Sequence, residues 1–264
     1  MIYAAFTVWL FGIVFLGVGV FRVWTSVARP LWVNWALLPG TLVSEMAYIL
    51  GCLITGGEIR KARLLESPGS SGGGDSGPAT EANQRLKVLG PIVASLLAVL
   101  ACMGAILLVH RLLGRPVIQA FILGDGWAGG VSELPKALPA GWDALWAQLD
   151  RHVALLRRMF ETLGRLEWLA WRVPLFVYLS ICFSVRLAPV GRDLRATLAA
   201  LVAVAGVVAA VGALSDRFTN LLADDLWPLL TYVWALLLAL LVLSGLIRGL
   251  VSLVQVLAGK GSRA

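Results

Sequence analysis

Leu38-Pro39-Gly40-Thr41-Leu42-Val43-Ser44-Glu45-Met46-Ala47-Tyr48-Ile49-Leu50 is an apolar stretch with a proline–glycine pair near its start and a carboxylate in its middle. It belongs to a longer apolar run, Leu31 to Thr55. Such a run is long enough to cross a bilayer as a helix, which takes about 20 residues. Pro39 and Gly40 break it midway, and Thr41 is a residue type that caps a helix restarting there. A helix that starts at mid-membrane depth is tolerated only where protein buries it or where it lines a cavity. The stretch therefore predicts a broken helix inside a bundle of others. A glutamate at that depth is costly and is by default a functional candidate.

The rest of the chain supplies the bundle. Of 264 residues, 59% are hydrophobic and 14% charged, against about a quarter charged in a soluble domain. Mean hydropathy is +0.85. A water-soluble fold has too little interior to hide this much apolar surface, so the solvent is a bilayer. The fold class expected is an all-α, polytopic transmembrane bundle. Its spans number about six on the usual length criterion, and they run 2–23, 31–55, 88–113, 168–187, 194–214 and 226–247. The last continues as an interfacial tail through Leu257, because Arg248 interrupts the apolar pattern. The first has no cationic n-region and no small-residue cleavage site, so it reads as a retained span and not a cleaved signal.

The polar segments divide the chain into three parts. Residues 1–66 hold the first two spans. Residues 67–87 form a flexible Gly/Ser-rich linker, beginning Ser67-Pro68-Gly69-Ser70, with nothing to build a core. Residues 88–264 hold the remaining spans and an amphipathic connection over 141–167. There Leu145, Leu149, Val153, Leu156, Phe160 and Leu163 recur at steps of three and four, and Asp150, Arg151, Arg157, Arg158, Glu161 and Arg165 fall largely off that stripe. Trp142, Trp146 and Trp168 favour a place on the membrane surface over docking on a partner helix.

The net charge of +7 sits beside apolar runs. That pattern fits anchoring to anionic headgroups and the positive-inside bias, and it excludes nucleic-acid binding as the natural reading. Six spans put Arg60, Lys61, Arg63, Arg85, Lys87, Arg186, Arg192, Arg195, Lys260 and Arg263 on one side, which predicts cytoplasmic termini. Cys52, Cys102 and Cys182 lie in apolar runs without metal spacing and read as small buried thiols. Gly124 to Gly130 is glycine-rich but is not a phosphate loop, and no G-x-S-x-G elbow occurs. Asp224-Asp225 reads as a solvated loop end.

In a zinc protease helix, H-E-x-x-H places two imidazoles at i and i+4 with glutamate as general base. Here Ser44 and Tyr48 stand at the imidazole positions and Glu45 keeps its own. Pro39-Gly40-Thr41-Leu42-Val43-Ser44-Glu45-Met46-Ala47-Tyr48, closing on Thr55-Gly56, resembles the first metal-binding helix of the site-2-protease-type membrane metalloproteases. The stretch from Tyr178 to Leu194 resembles a later segment of bacterial members. The resemblance implies that Asp193 matches an acidic position able to supply a metal ligand, that Arg186 replaces a histidine, and that the chain resides in a bacterial inner membrane. It also implies a degenerate site. Serine and neutral tyrosine are poor zinc ligands, so zinc is expected to be absent and no other cofactor is implied.

Of the two histidines, His110 reads as an interfacial anchor and His152 as an edge residue of the amphipathic helix. A substitute zinc set of Glu45, Asp193 and His110 lacks a spacing that fixes tetrahedral geometry. Three functions follow. The leading one is a non-catalytic scaffold that binds the helix of a membrane partner or client. The second is an active membrane metalloprotease with an atypical site. The third is a transporter or channel component in which Glu45, Arg172, Arg186 and Asp193 mark a polar pathway. Transporters commonly show matching broken helices in two halves, whereas here one span is clearly interrupted.

Overall fold

A computed structural model describes residues 2–63, 79–83, 89–123, 142–187, 194–214 and 226–260. In chain order these form α1 (Ile2–Val27), α2 (Pro30–Ala36), α3 (Leu38–Ile54), β1 (Glu58–Arg63), β2 (Ala79–Asn83), α4 (Leu89–Val109), a π-helical turn (His110–Gly114), α5 (Arg115–Leu123), α6 (Trp142–Arg165), α7 (Arg172–Arg186), α8 (Leu194–Leu214) and α9 (Trp227–Lys260). The architecture is a helical bundle. Among the described residues, three stretches are long and apolar enough to cross a membrane: Trp9–Val27, Gly90–Ile122 and Trp227–Val254. The second of these joins α4, the π turn and α5 into one continuous rod. The runs Leu38–Ile54 and Ala196–Val208 are apolar but shorter.

The second apolar run breaks two residues earlier than its sequence suggests. Leu37, not Pro39-Gly40, is the non-helical residue, with φ −95° and ψ 15°. Proline is accommodated in the first turn of a helix, where its missing N–H has no partner to lose, and Pro39 occupies that turn of α3. Thr41 does not cap the helix by accepting an N–H. Its hydroxyl donates back to the Leu37 carbonyl at 3.0 Å. The far end of α3 closes on Gly56, whose φ of 72° is the left-handed conformation that ends many helices. Its N–H donates to the Leu53 carbonyl at 3.1 Å, and the Gly57 N–H to that of Cys52 at 2.8 Å.

Small residues set the helix contacts, as expected where lipid offers no hydrophobic drive to pack. A β-carbon on Gly51 would lie 2.5 Å from the Ala94 Cα of α4. One on Gly40 would strike the Cys182 carbonyl of α7, one on Gly12 the Trp234 ring of α9, and one on Gly114 the Phe176 ring. These contacts also give direction. Along α1, Gly12 meets Trp234, Gly19 meets Leu241 and Trp24 bonds Ser244, so α1 and α9 run parallel. Gly114 meets Phe176, while the Arg186 carbonyl lies 4.0 Å from the Cys102 thiol, so α4 opposes α7. Gly40 packs at the Cys182–Arg186 level and Gly51 at Ala94, so α3 opposes α4 and shares the direction of α1.

Two helices in series that point the same way need a return between them. Phe21 and Gly40 both touch Arg186, and α1 continues for about 9 Å beyond Phe21. The chain therefore doubles back through residues 28–37, and α3 begins inside the bundle. The parallel α1 and α9 point the two chain ends to opposite ends of the bundle. Hydropathy alone counts 31–55 as a full crossing, and whether that run crosses sets the sense of every later helix relative to α1.

Within residues 67–87, expected to be a linker, Ala79–Asn83 is a strand. Ala79–Asn83 pairs antiparallel with Glu58–Arg63, in register Glu58↔Asn83 to Arg63↔Ala79 with an irregularity between Ile59 and Lys61. Residues 64–78 and 84–88 lie outside the described residues. So do Gly124 to Gly130 and the Asp224-Asp225 pair.

Helix α6 docks on α5 and α9. From Asp150 onward its buried positions are Leu155, Arg158, Met159 and Thr162, a face rotated from the part of the stripe read there in sequence. Val153 and Phe160 of that stripe stay 64% and 45% exposed. Arg158 explains the rotation. Its Nε donates to the Phe121 carbonyl at 2.8 Å and its Nη2 to that of Ile122 at 3.3 Å, satisfying carbonyls that the end of α5 leaves open.

Candidate functional site

The inward face of α3 carries Gly40, Thr41, Ser44, Glu45, Gly51 and Cys52. These recur at spacings of four and seven (40, 44, 51 and 41, 45, 52), a single helical stripe. The opposite stripe, with Leu42, Met46, Leu50 and Leu53, is exposed. Ser44 and Glu45 are each 4% exposed, so the carboxylate points into the bundle and not toward lipid. Tyr48 is half-buried on the same side. None of the three lacks a partner. Asp193, the acidic position of the second stretch, lies outside the described residues, together with the rest of 188–193.

What the structure does bring together is the break in α2–α3 and one face of α7. Tyr178, Cys182 and Arg186 recur at i, i+4 and i+8 on that helix. The Tyr178 hydroxyl donates to the Ala36 carbonyl at 2.8 Å, and the Cys182 thiol to the same oxygen at 3.5 Å. Arg186 is buried. Its Nη2 donates to Asn34 Oδ1 at 2.6 Å, its guanidinium lies 5.2 Å from the centre of the Phe21 ring, and its stem rests against Gly40. A carbonyl freed by a helix break inside an apolar bundle needs a donor, and α7 provides it. Asn34 accepts from the arginine and is one of the groups that meet this buried charge.

Sequence reasoning missed Asn34, although an amide inside Leu31-Trp32-Val33-Asn34-Trp35-Ala36 is a visible signal of a polar partner. It read Cys182 only as a small buried thiol, which it is, and Gly40 as a breaker. Gly40 is a contact residue, and the thiol is a donor. Neither role follows from spacing, because both depend on which helix lies opposite.

The histidines are elsewhere. His110 opens the π turn, with its Nδ1 close to Gly114. His152 lies between Trp9 and Trp234, with ring centres 6.0 and 5.4 Å away, in a cluster completed by Trp227. From the Gly51–Ala94 contact, Glu45 lies about 9 Å back along α3 and His110 about 24 Å along α4 in the same sense, so they differ in depth by about 15 Å. A zinc ion with ligands at about 2 Å does not bridge that distance. Among the described residues no group of three His, Cys, Asp or Glu is placed to share a metal ion. Comparison with protein-family models, curated proteins and solved structures finds no match to this chain.

Proposed function

We propose that this protein is a non-catalytic membrane scaffold of site-2-protease-like ancestry that holds a partner or client helix without cutting it. The observation that carries the reading is the inward-facing Ser44–Glu45 pair on a helix that starts inside the bundle. A membrane metalloprotease needs its metal helix turned inward in this way. Here its donor atoms are a serine hydroxyl, a carboxylate and a phenol, and no imidazole is present to complete a set of three ligands. Without a metal to lower the pKa of water, Glu45 has no activated nucleophile to generate.

The membrane arrangement belongs to the same proposal. Helices α1, α4–α5, α7, α8 and α9 traverse the bilayer, and α2–α3 enters and leaves by the face at which α1 ends. That face then holds Arg22 and Arg29 in addition to Arg60, Lys61, Arg63, Arg85, Lys87, Arg192, Arg195, Lys260 and Arg263, so it is the cytoplasmic one. The amino terminus lies outside the cytoplasm and the carboxyl terminus inside, in a bacterial inner membrane.

The test of function is metal content and its gain. The protein purified in detergent is expected to carry no stoichiometric zinc, and Ser44→His/Tyr48→His is expected to acquire it. Zinc-dependent cleavage of a membrane substrate by the unaltered chain would instead establish the active-protease alternative. The doubled-back segment and the buried Arg186–Asn34 pair favour one further reading, a transport component. Solute flux in proteoliposomes that Arg186→Gln abolishes would establish that reading and displace the scaffold.

A further inference from the structure

An open groove of about 310 Å³ lies where the end of α1, α2 and α9 meet. Its walls are apolar, with Val27, Trp32, Val33 and Ile247 prominent. The one hydroxyl in the lining, that of Ser244, is occupied, because it accepts from Trp24 Nε1 at 2.7 Å. The groove thus offers side-chain contacts to a hydrocarbon and little to a polar backbone. Its depth is marked by Trp24 and Trp32 in the wall and Trp35 close by. Such aromatics gather at the membrane–water interface.

The charge around it has one sign. No Asp or Glu precedes Glu45 and none follows Asp225, so both arms of the groove are free of acids. Arg22, Arg29 and Arg248 are exposed. Arg29 follows Ala28 of the lining, and Arg248 stands one turn beyond Ser244 on the same face of α9. A second copy of the chain seated here by a two-fold axis would set these arginines against their own counterparts, which disfavours self-pairing.

We propose that the groove is a specific seat for an anionic phospholipid, with an acyl chain along the Trp32–Ile247 wall and the phosphate between Arg29 and Arg248. The inference is independent of the scaffold reading, since it concerns the outer wall of the bundle and not the Glu45 face.

Native mass spectrometry of the full chain in mild detergent, titrated with phosphatidylglycerol and with phosphatidylcholine of the same acyl chains, tests it. The expected result is one retained phosphatidylglycerol with a preference of about tenfold or more, given two arginines at the headgroup. Arg29→Gln/Arg248→Gln is expected to erase the preference, and Arg29→Lys/Arg248→Lys to keep most of it. Arg157→Gln/Arg165→Gln on α6 is expected to leave it unchanged. Trp32→Ala, which keeps every charge, is expected to weaken retention of both lipids. Equal retention of the two lipids by the unaltered chain overturns the proposal. So does a preference that survives in the double glutamine variant, or a Trp32→Cys variant that crosslinks to a dimer with phosphatidylglycerol present.

Discussion

Gly40 shows how a single residue is read differently in one dimension and in three. Beside Pro39 it looks like a helix breaker, yet it sits within α3 and its missing side chain admits the Cys182 carbonyl. Gly40→Val is therefore expected to push α3 and α7 apart, at a cost of about 1–3 kcal/mol, the usual penalty of overpacking. The melting temperature in detergent should fall accordingly. Gly104 has nothing within 4 Å of a would-be β-carbon, so Gly104→Ala should leave that temperature unchanged or slightly raised. Glu45 poses a different question at the same scale. It is buried and has a partner, so Glu45→Gln, which keeps shape and hydrogen-bonding capacity, should fold and elute like the parent. Glu45→Lys inverts a charge inside the bundle and should reduce the yield of monodisperse protein.

At the scale of elements, α6 repays comparison with its sequence. Its periodicity marked a helix correctly, and its apolar arc is wider than the six positions that first define it. One edge of that arc docks on the bundle and the other, with Val153 and Phe160, faces outward. Arg158 decides which edge goes where, because the carbonyls of Phe121 and Ile122 await a donor. Arg158→Met keeps the stem and removes those bonds. It should destabilise the protein by about 1.5–3 kcal/mol, the range for hydrogen bonds to a charged group, and limited proteolysis should then cut near the end of α5. The neighbouring Arg157 makes only an exposed pair with Glu161 at 2.9 Å. Arg157→Met is the matched control and should change stability by well under about 1 kcal/mol.

At the scale of the whole molecule, the parallel course of α1 and α9 has the widest consequence. A reporter fused to the carboxyl terminus and one inserted after Ser70 should both signal the cytoplasm, and one at the amino terminus should signal the opposite side. A cytoplasmic signal from both termini would show that 31–55 crosses after all and that α1 and α9 are antiparallel in the membrane. The same experiment checks Arg29 and Arg22. Under six crossings they sit awkwardly outside, and with 28–37 doubling back they join the other short-loop cations.

The sequence alone determined that this chain is a membrane-embedded helical bundle, because apolar length and charge depletion act locally and need no knowledge of neighbours. It also placed a break in the second apolar run, an amphipathic helix before α7, and Glu45 as a functional candidate within the broken helix. Its reading of a protease-like motif rests on short stretches, one of which includes Asp193, outside the described residues. Only the tertiary structure decided that α3 shares the direction of α1, that Tyr178, Cys182 and Arg186 serve the broken helix, and that Asn34 accepts from the buried arginine. The last two depend on partners more than a hundred residues away. Hydropathy registers how much of a helix is apolar but not the sense in which it runs, and direction is fixed by which small residue meets which ring or carbonyl across the interface.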